Sequence, residues 1–154
     1  MLEIRPDNAP FKIFLAGSIE MGAAEEWQKE VVKAFSSYED VIIYNPRRHD
    51  WDTSWKQEMG DNQFTKQVEW ELKHLDDADV ILMYFDPATK SPISLLELGL
   101  YANKRKLVVV CPEGFYRKGN VDITCRKYGI TVYTTLDIAI QNLKIKEYRH
   151  TAGY

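Results

Sequence analysis

Short apolar runs alternate with segments of helical spacing along the chain. Four runs rich in β-branched and aromatic residues stand out: Phe11 to Ala16, Val41 to Tyr44, Val80 to Phe85 and Leu107 to Cys111. A weaker fifth lies from Ile130 to Tyr133. Near-continuous apolar runs of this kind are what strands covered on both faces require. Between them, Trp27, Val31, Ala34 and Phe35, and then Phe64, Val68, Leu72 and Leu75, recur at the spacing that lines one face of a helix. Further helices are expected from about Ser94 to Lys104, near Val121 to Lys127, and from about Leu136 to Glu147. This alternation predicts an α/β fold, a doubly wound sandwich around a five-stranded parallel sheet built on right-handed crossovers. No repeat, low-complexity tract or linker divides residues 1–154, so a single domain is expected.

In such a sandwich, ligands bind beyond the carboxyl ends of the strands, where the strand order reverses. Four loops should frame that place: Gly17 to Gly22, Asn45 to Asn62, Asp86 to Ile93 and Pro112 to Asn120. The second is long for a connection in this fold and carries Pro46, Arg47, Arg48, His49, Asp50, Trp51, Asp52 and Trp55, so it reads as a functional lid or a disordered insertion, and its two tryptophans favour the lid. Trp51 and Trp55 would offer stacking surface to a flat base, or pack as ordinary lid residues. The first loop, Gly17-Ser18-Ile19-Glu20-Met21-Gly22, follows a strand and precedes a helix, where backbone N–H groups face an electron-rich ligand group. It matches neither the dinucleotide-binding nor the phosphate-cradling glycine pattern. A tight turn without a ligand is the other reading.

Composition narrows the partners. A chain of 154 residues, 45% apolar, builds one substantial core. A net charge of −3 and a pI near 5.6 give no basic face for a phosphate backbone, so no nucleic-acid partner is expected. The amino-terminal residues Met1 to Pro6 lack a signal-peptide pattern and no apolar stretch is long enough to span a membrane, which places the expected protein in the cytoplasm. Cys111 and Cys125 read as reduced, partly buried thiols. His49, His74 and His150 are scattered, so neither a metal site nor a Ser-His-Asp triad is expected, and no cofactor is implied.

The most informative stretch is Ser91-Pro92-Ile93-Ser94-Leu95-Leu96-Glu97-Leu98-Gly99-Leu100, where one carboxylate sits among leucines. Burying an isolated carboxylate is costly, so such a residue is compensated, neutral or functional unless it turns to solvent. Gly99 lowers helix propensity and suggests close approach by a neighbouring backbone. A second carboxylate, Glu71, lies three residues after Val68 and four before Leu75, at the border of an apolar stripe. It either faces the cleft or is a solvated helix glutamate. Asp79 reads as a turn residue at the start of the third strand. Two carboxylates without a metal or histidine suit glycosidic bond chemistry, in which one attacks the anomeric carbon and an acceptor resolves the glycosyl-enzyme.

On these residues the chain resembles the nucleoside 2-deoxyribosyltransferases, and more closely their nucleoside 2-deoxyribosyltransferase-like branch. The resemblance spans roughly Lys12 to Tyr133. It rests on Phe14 to Ile19, on Asn45-Pro46-Arg47-Arg48 followed by Asp50-Trp51-Asp52, on Gln67 to Leu72, on Ala78 to Ile81, and on Ser91 to Gly99. It implies a flavodoxin-like fold, a homo-oligomer with sites completed across subunits, and a deoxynucleoside and a free nucleobase as partners. Residue by residue, Glu97 matches the family's nucleophile in its Glu-Leu-Gly motif. Glu71 falls where the family commonly has an aspartate that handles the base and its proton, and here is one methylene longer. Ser91 stands where better known deoxyribosyltransferases carry an aspartate, and where related deoxynucleoside 5′-monophosphate N-glycosidases carry a phosphate-binding serine. Phe14 replaces a tyrosine of some members, and Asn120 resembles an asparagine given by a neighbouring subunit, as the tail Thr151 to Tyr154 is in some relatives. Gly17, Ser18, Ile19, Asn45, Arg47, Trp51 and Asp52 would complete the binding surface.

The leading expectation is therefore 2′-deoxyribosyl transfer between bases, with Glu97 attacking C1′ and Glu71 assisting departure of the base. A nucleoside 5′-monophosphate N-glycosidase is the rival enzyme. Glu20, just after Ser18-Ile19, would repel a phosphate and favours nucleosides. A non-catalytic nucleotide-sensing domain is the rival from another class, and the carboxylate among leucines weighs against it.

Overall fold

The computed structural model describes residues 9–19, 26–47 and 58–153. Five strands run in chain order as β1 (Phe11–Gly17), β2 (Val41–Tyr44), β3 (Val80–Tyr84), β4 (Leu107–Val110) and β5 (Val132–Tyr133). All pair in parallel, in the spatial order β2-β1-β3-β4-β5. This is the flavodoxin-like doubly wound sheet that the alternation of runs predicted, and its order reverses between β1 and β3. The helices are α1 (Trp27–Ala34), α2 (Asn62–Asp77), α3 (Pro92–Tyr101), α4 (Lys118–Lys127) and α5 (Leu136–Thr151), with a tighter turn at Ala102–Lys104 after α3.

Because successive strand residues point to opposite faces, each central strand feeds two cores. Ile13, Leu15, Leu82, Tyr84, Val108 and Val110 pack on one face beneath α1 and α5. Phe14, Ala16, Ile81, Met83, Phe85, Val109 and Cys111 pack on the other beneath α2, α3 and α4. Both cysteines are buried free thiols, as the sequence suggested, and burial pushes the Cys111 thiol up to about 11 and Cys125 to about 12.

Several boundaries differ from those expected. α3 begins at Pro92, where proline's fixed φ suits a first helical position. α4 begins at Lys118, so Asn120 stands in its first turn rather than at the end of a loop. β5 holds only two residues, and α5 continues to Thr151. Leu72 was expected on the inner stripe of α2 but is 40% exposed, whereas Leu75 is fully buried. The inward phase runs through Val68, Glu71 and Leu75, at intervals of three and four, and turns Leu72 outward. Asp79 is structural as read: its carboxylate accepts from the Lys12 amide at 2.8 Å.

The seam at the reversal point is set by Gly17. Its φ is +144°, and a Cβ there would lie 2.3 Å from the Tyr84 carbonyl oxygen and 2.8 Å from the Tyr84 nitrogen. Only glycine lets β1 leave the sheet this close to β3. We expect Gly17→Ala to cost about 3 kcal/mol, from overpacking and the unfavourable φ together, lowering Tm by roughly 10 °C. Thermal unfolding followed by circular dichroism checks this, and an unchanged Tm would mean that the seam relaxes freely.

Candidate active site

Beyond Gly17, the Ser18 amide donates to the Tyr84 carbonyl at 2.9 Å, extending the β1–β3 pairing by one residue. That amide is therefore spent on the sheet and does not face a ligand, as the loop pattern had suggested. The Ser18 carbonyl accepts from the Trp27 indole at 3.1 Å and from the Gln28 amide at 3.4 Å. Gln28, 1% exposed, accepts in turn from the Arg47 guanidinium at 3.1 Å. Arg47 is thus tied through Gln28 to the β1 loop. The Asn45 side chain accepts from the Arg47 amide at 3.0 Å and shapes the chain as it leaves β2.

The Ser18 hydroxyl begins a buried knot. It lies 2.8 Å from the Thr89 hydroxyl and 2.5 Å from that of Ser91, and the latter two are 2.8 Å apart. It also accepts from the Asp86 amide at 2.8 Å, and Thr89 donates to the Asp86 carbonyl at 2.9 Å. The knot ties the end of β1 to the β3–α3 loop. Ser91 holds φ 48° and ψ 53°, a left-handed conformation unusual for serine, and its carbonyl accepts from the Leu95 amide at 3.1 Å as α3 begins. A non-glycine residue kept in this region is over-determined by its surroundings and recurs at functional sites.

From this anchored start, α3 turns Ser94, Glu97, Leu98 and Tyr101 inward. Glu97 is 7% exposed. No described residue forms a hydrogen bond or an ion pair with its carboxylate. Its pKa is pushed up to about 8, first by burial and then by repulsion from Glu71. Glu71 on α2 is half-buried and also raised, burial outweighing the opposing hydrogen bond from the Gln67 amide at 3.0 Å. The carboxylate that spacing left ambiguous thus shares the low-dielectric space of Glu97. Below them the Tyr101 hydroxyl donates to Asp76 at 2.7 Å, and Lys106 donates to the Leu75, Asp76 and Ala78 carbonyls, at 2.5, 3.0 and 3.2 Å. The Tyr101 bond holds the end of α2 against α3, and the Lys106 bonds hold it against the start of β4.

Phe14, 1% exposed, packs against Trp70 with ring centroids 6.3 Å apart, and Trp70 stacks on His74 at 4.2 Å. Phe14 therefore supports α2 from beneath. Ile19 is 40% exposed at the mouth of the β1 loop. Asn120 is exposed on α4. Trp51 and Asp52, with Glu20, Arg48, His49, Asp50 and Trp55, lie outside the described residues. Sequence reasoning missed Thr89, Asp86, Gln28, Tyr101 and Trp70: each is an ordinary polar or aromatic residue until the fold brings it to its partner. Among the described residues, no group of three or more His, Cys, Asp or Glu side chains is placed to hold a metal.

A doubly wound sheet with two desolvated carboxylates beside its reversal point marks a class of small α/β proteins with a candidate ligand site at that point. Within that class, the family model described as nucleoside 2-deoxyribosyltransferase like matches residues 10–115, and the chain belongs to this family. No curated protein matches the chain. Among solved structures, a conserved protein from Enterococcus faecalis V583 is similar with a TM-score of 0.64 and 13% identity, over 90% of this chain and 99% of that one. That likeness concerns the fold alone.

The raised Glu97 group makes stability depend on pH with a definite sign. In the unfolded chain its pKa falls to about 4.3, so up to about pH 8 the native state holds the extra proton. Stability contributed by this group is full below the unfolded value and is lost as pH rises through that window. We expect Glu97→Gln to flatten this decline and to be more stable than the parent at alkaline pH. Urea unfolding across the pH range measures it, and parallel profiles for the two proteins would contradict the desolvation of Glu97.

Proposed function

We propose that the protein is a nucleoside 2-deoxyribosyltransferase that moves 2-deoxyribose between nucleobases through a covalent ester on Glu97. The observation that carries this reading is the buried Glu97 carboxyl, unpaired among the described residues, beside a second raised carboxyl. A pure binder gains nothing from such a group, whereas a nucleophile in a dry site is activated by weak solvation. The reacting microstate has Glu97 ionised and Glu71 protonated, one proton shared between two interacting acids. The Glu97 oxygen attacks C1′ as the C1′–N bond breaks, the bonding pair leaves with the base, and Glu71 supplies the proton that neutralises it. A second base then attacks C1′, yields its proton to Glu71, and frees Glu97. Exclusion of water from the cleft makes the base, not water, the acceptor.

Nucleosides suit this cleft better than their 5′-monophosphates. The Ser18, Thr89 and Ser91 hydroxyls are buried and bonded to one another and to the Asp86 backbone, so they are engaged within the fold rather than presented to a phosphate. We also propose a homo-oligomer. On the outer face of α3, Ile93, Leu96 and Leu100 are 58%, 59% and 49% exposed. Gly99 among them meets nothing within 4 Å of an added Cβ, so the close backbone approach expected there is not made by the described residues. A second copy of α3 packed on this stripe supplies it. Asn120 and the 61% exposed Ile123 share one face of α4, where Asn120 is available to a neighbour. No helix among the described residues is long and apolar enough to cross a membrane, and we place the enzyme in the cytoplasm.

Incubated with a deoxynucleoside and a different free base, the protein should form the new deoxynucleoside, resolved by chromatography. Release of free deoxyribose alone, with monophosphates preferred in kcat/KM, would make it an N-glycosidase instead. With a 2′-fluoro-2′-deoxynucleoside, whose electron-withdrawing fluorine slows breakdown of the ester, intact-protein mass spectrometry should show one added sugar per chain, mapping to Glu97. Glu97→Ala should abolish both the adduct and exchange, a loss on the order of 10³-fold or more.

The pH profile separates the roles of the two acids. The reacting form carries one proton on the pair, so kcat/KM should fall at low pH as the pair takes up a second proton and fall again above about pH 8 as it loses its last. Glu71→Gln removes the proton donor and should abolish the alkaline fall while slowing turnover. A label mapping to Glu71, or an alkaline fall that persists in Glu71→Gln, would reverse or dissolve the assignment. Leu96→Glu should dissociate the oligomer in sedimentation velocity, whereas a fully active monomer of the parent chain would refute the assembly.

A further inference from the structure

The amino-terminal end of the sheet, opposite the Glu97 end, carries a cavity of about 490 Å³. It lies between the start of β4, the α4–β5 turn and α5, and its wall includes Arg105, Tyr128, Tyr133, Asn142 and Lys146. Its volume falls within the range of small-ligand sites. Its chemistry is the reverse of the cleft's. Among the described residues no carboxylate lines it, and two cations do. Neither Arg105 nor Lys146 forms an ion pair among the described residues. Asn142 and Lys146 are four residues apart on α5 and so share one face. The Lys127 ammonium lies 5.9 Å from the ring centre of Tyr128.

Backbone strain gives an independent sign. Among the described residues two non-glycines have positive φ: Ser91, at the mouth of the carboxylate cleft, and Arg105, at φ 57°. No local hydrogen bond of the Arg105 side chain accounts for keeping arginine, rather than glycine or asparagine, in that conformation.

We propose that this cavity binds a 5′-phosphorylated nucleoside, at a site remote from Glu97. Arg105 and Lys146 hold the dianionic phosphate, the guanidinium by paired N–H donors and the ammonium as a point charge. Tyr128 and Tyr133 offer ring surface to the planar base. The Asn142 amide, with both donor and acceptor atoms, reads the edge of that base. A phosphate without a base leaves the tyrosines and Asn142 unused, and a base without a phosphate leaves two cations unneutralised.

Isothermal titration calorimetry of the full chain with deoxyadenosine 5′-monophosphate, deoxyadenosine and inorganic phosphate tests this. The monophosphate should bind at least about tenfold more tightly than either of the others. The double variant Arg105→Gln with Lys146→Gln should lose at least about tenfold in affinity for the monophosphate while keeping the parent's Tm and its exchange activity with unphosphorylated deoxynucleosides. Tyr128→Ala should weaken the monophosphate and leave inorganic phosphate unchanged. Phosphate binding as tightly as the nucleotide would overturn the proposal, as would monophosphate binding that the double variant does not weaken. Absence of exchange activity in the parent protein would strike the transferase reading alone and leave this titration as it stands.

Discussion

The contact of Gly17 with the Tyr84 backbone is the constraint on which the site depends. With no Cβ at that position, β1 and β3 stay paired to the point where the strand order reverses, and Ser18 is delivered beneath the β3–α3 loop. The hydroxyl knot follows from this, because Ser18 reaches Thr89 and Ser91 only if β1 ends there. Ser91 in turn begins α3, and the phase of α3 decides that Glu97 faces inward. A displacement of β1 by the width of a methyl group would pass along this chain to the carboxylate.

Two carboxylates in a dry site repel one another, and something must keep them together. The Tyr101–Asp76 hydrogen bond and the Lys106 ammonium on the end of α2 supply that restraint from below. The Phe14–Trp70–His74 stack supports the same helix from the sheet side. The repulsion is expressed as raised pKa values rather than as separation. That is the condition a nucleophile and a proton donor need in order to work as a pair near neutral pH. At the other end of the sheet, the cavity beside β4 and α5 is lined by Arg105 and Lys146 rather than by acids.

The outer surface of α3 shows how one helix serves two purposes. Its inner residues build the site, and Ile93, Leu96 and Leu100 leave its outer face apolar. A helix apolar on both sides reads in sequence as fully buried, and here the described residues cover only its inner side.

Much of this was legible beforehand. The alternation of apolar runs with helical spacing was enough for the α/β sandwich, because strands covered on both faces read as near-continuous apolar runs. A glutamate among four leucines was enough to single out Glu97, because desolvating a carboxylate is too costly to be incidental. Spacing left Glu71 undecided between cleft and solvent, and it placed Leu72 on the wrong side. A helix's rotational phase is set by what it packs against, and only the bolting of α2 to α3 settled it. Gln28, Thr89 and Asp86 carried no signal, since a buried polar residue is recognisable only once its partners, some of them nearly 70 positions away in the chain, are brought within hydrogen-bonding distance. Residue identity decided which groups could do chemistry, and tertiary packing decided which of them meet, because proximity and desolvation are properties of the folded arrangement and not of neighbours along the chain.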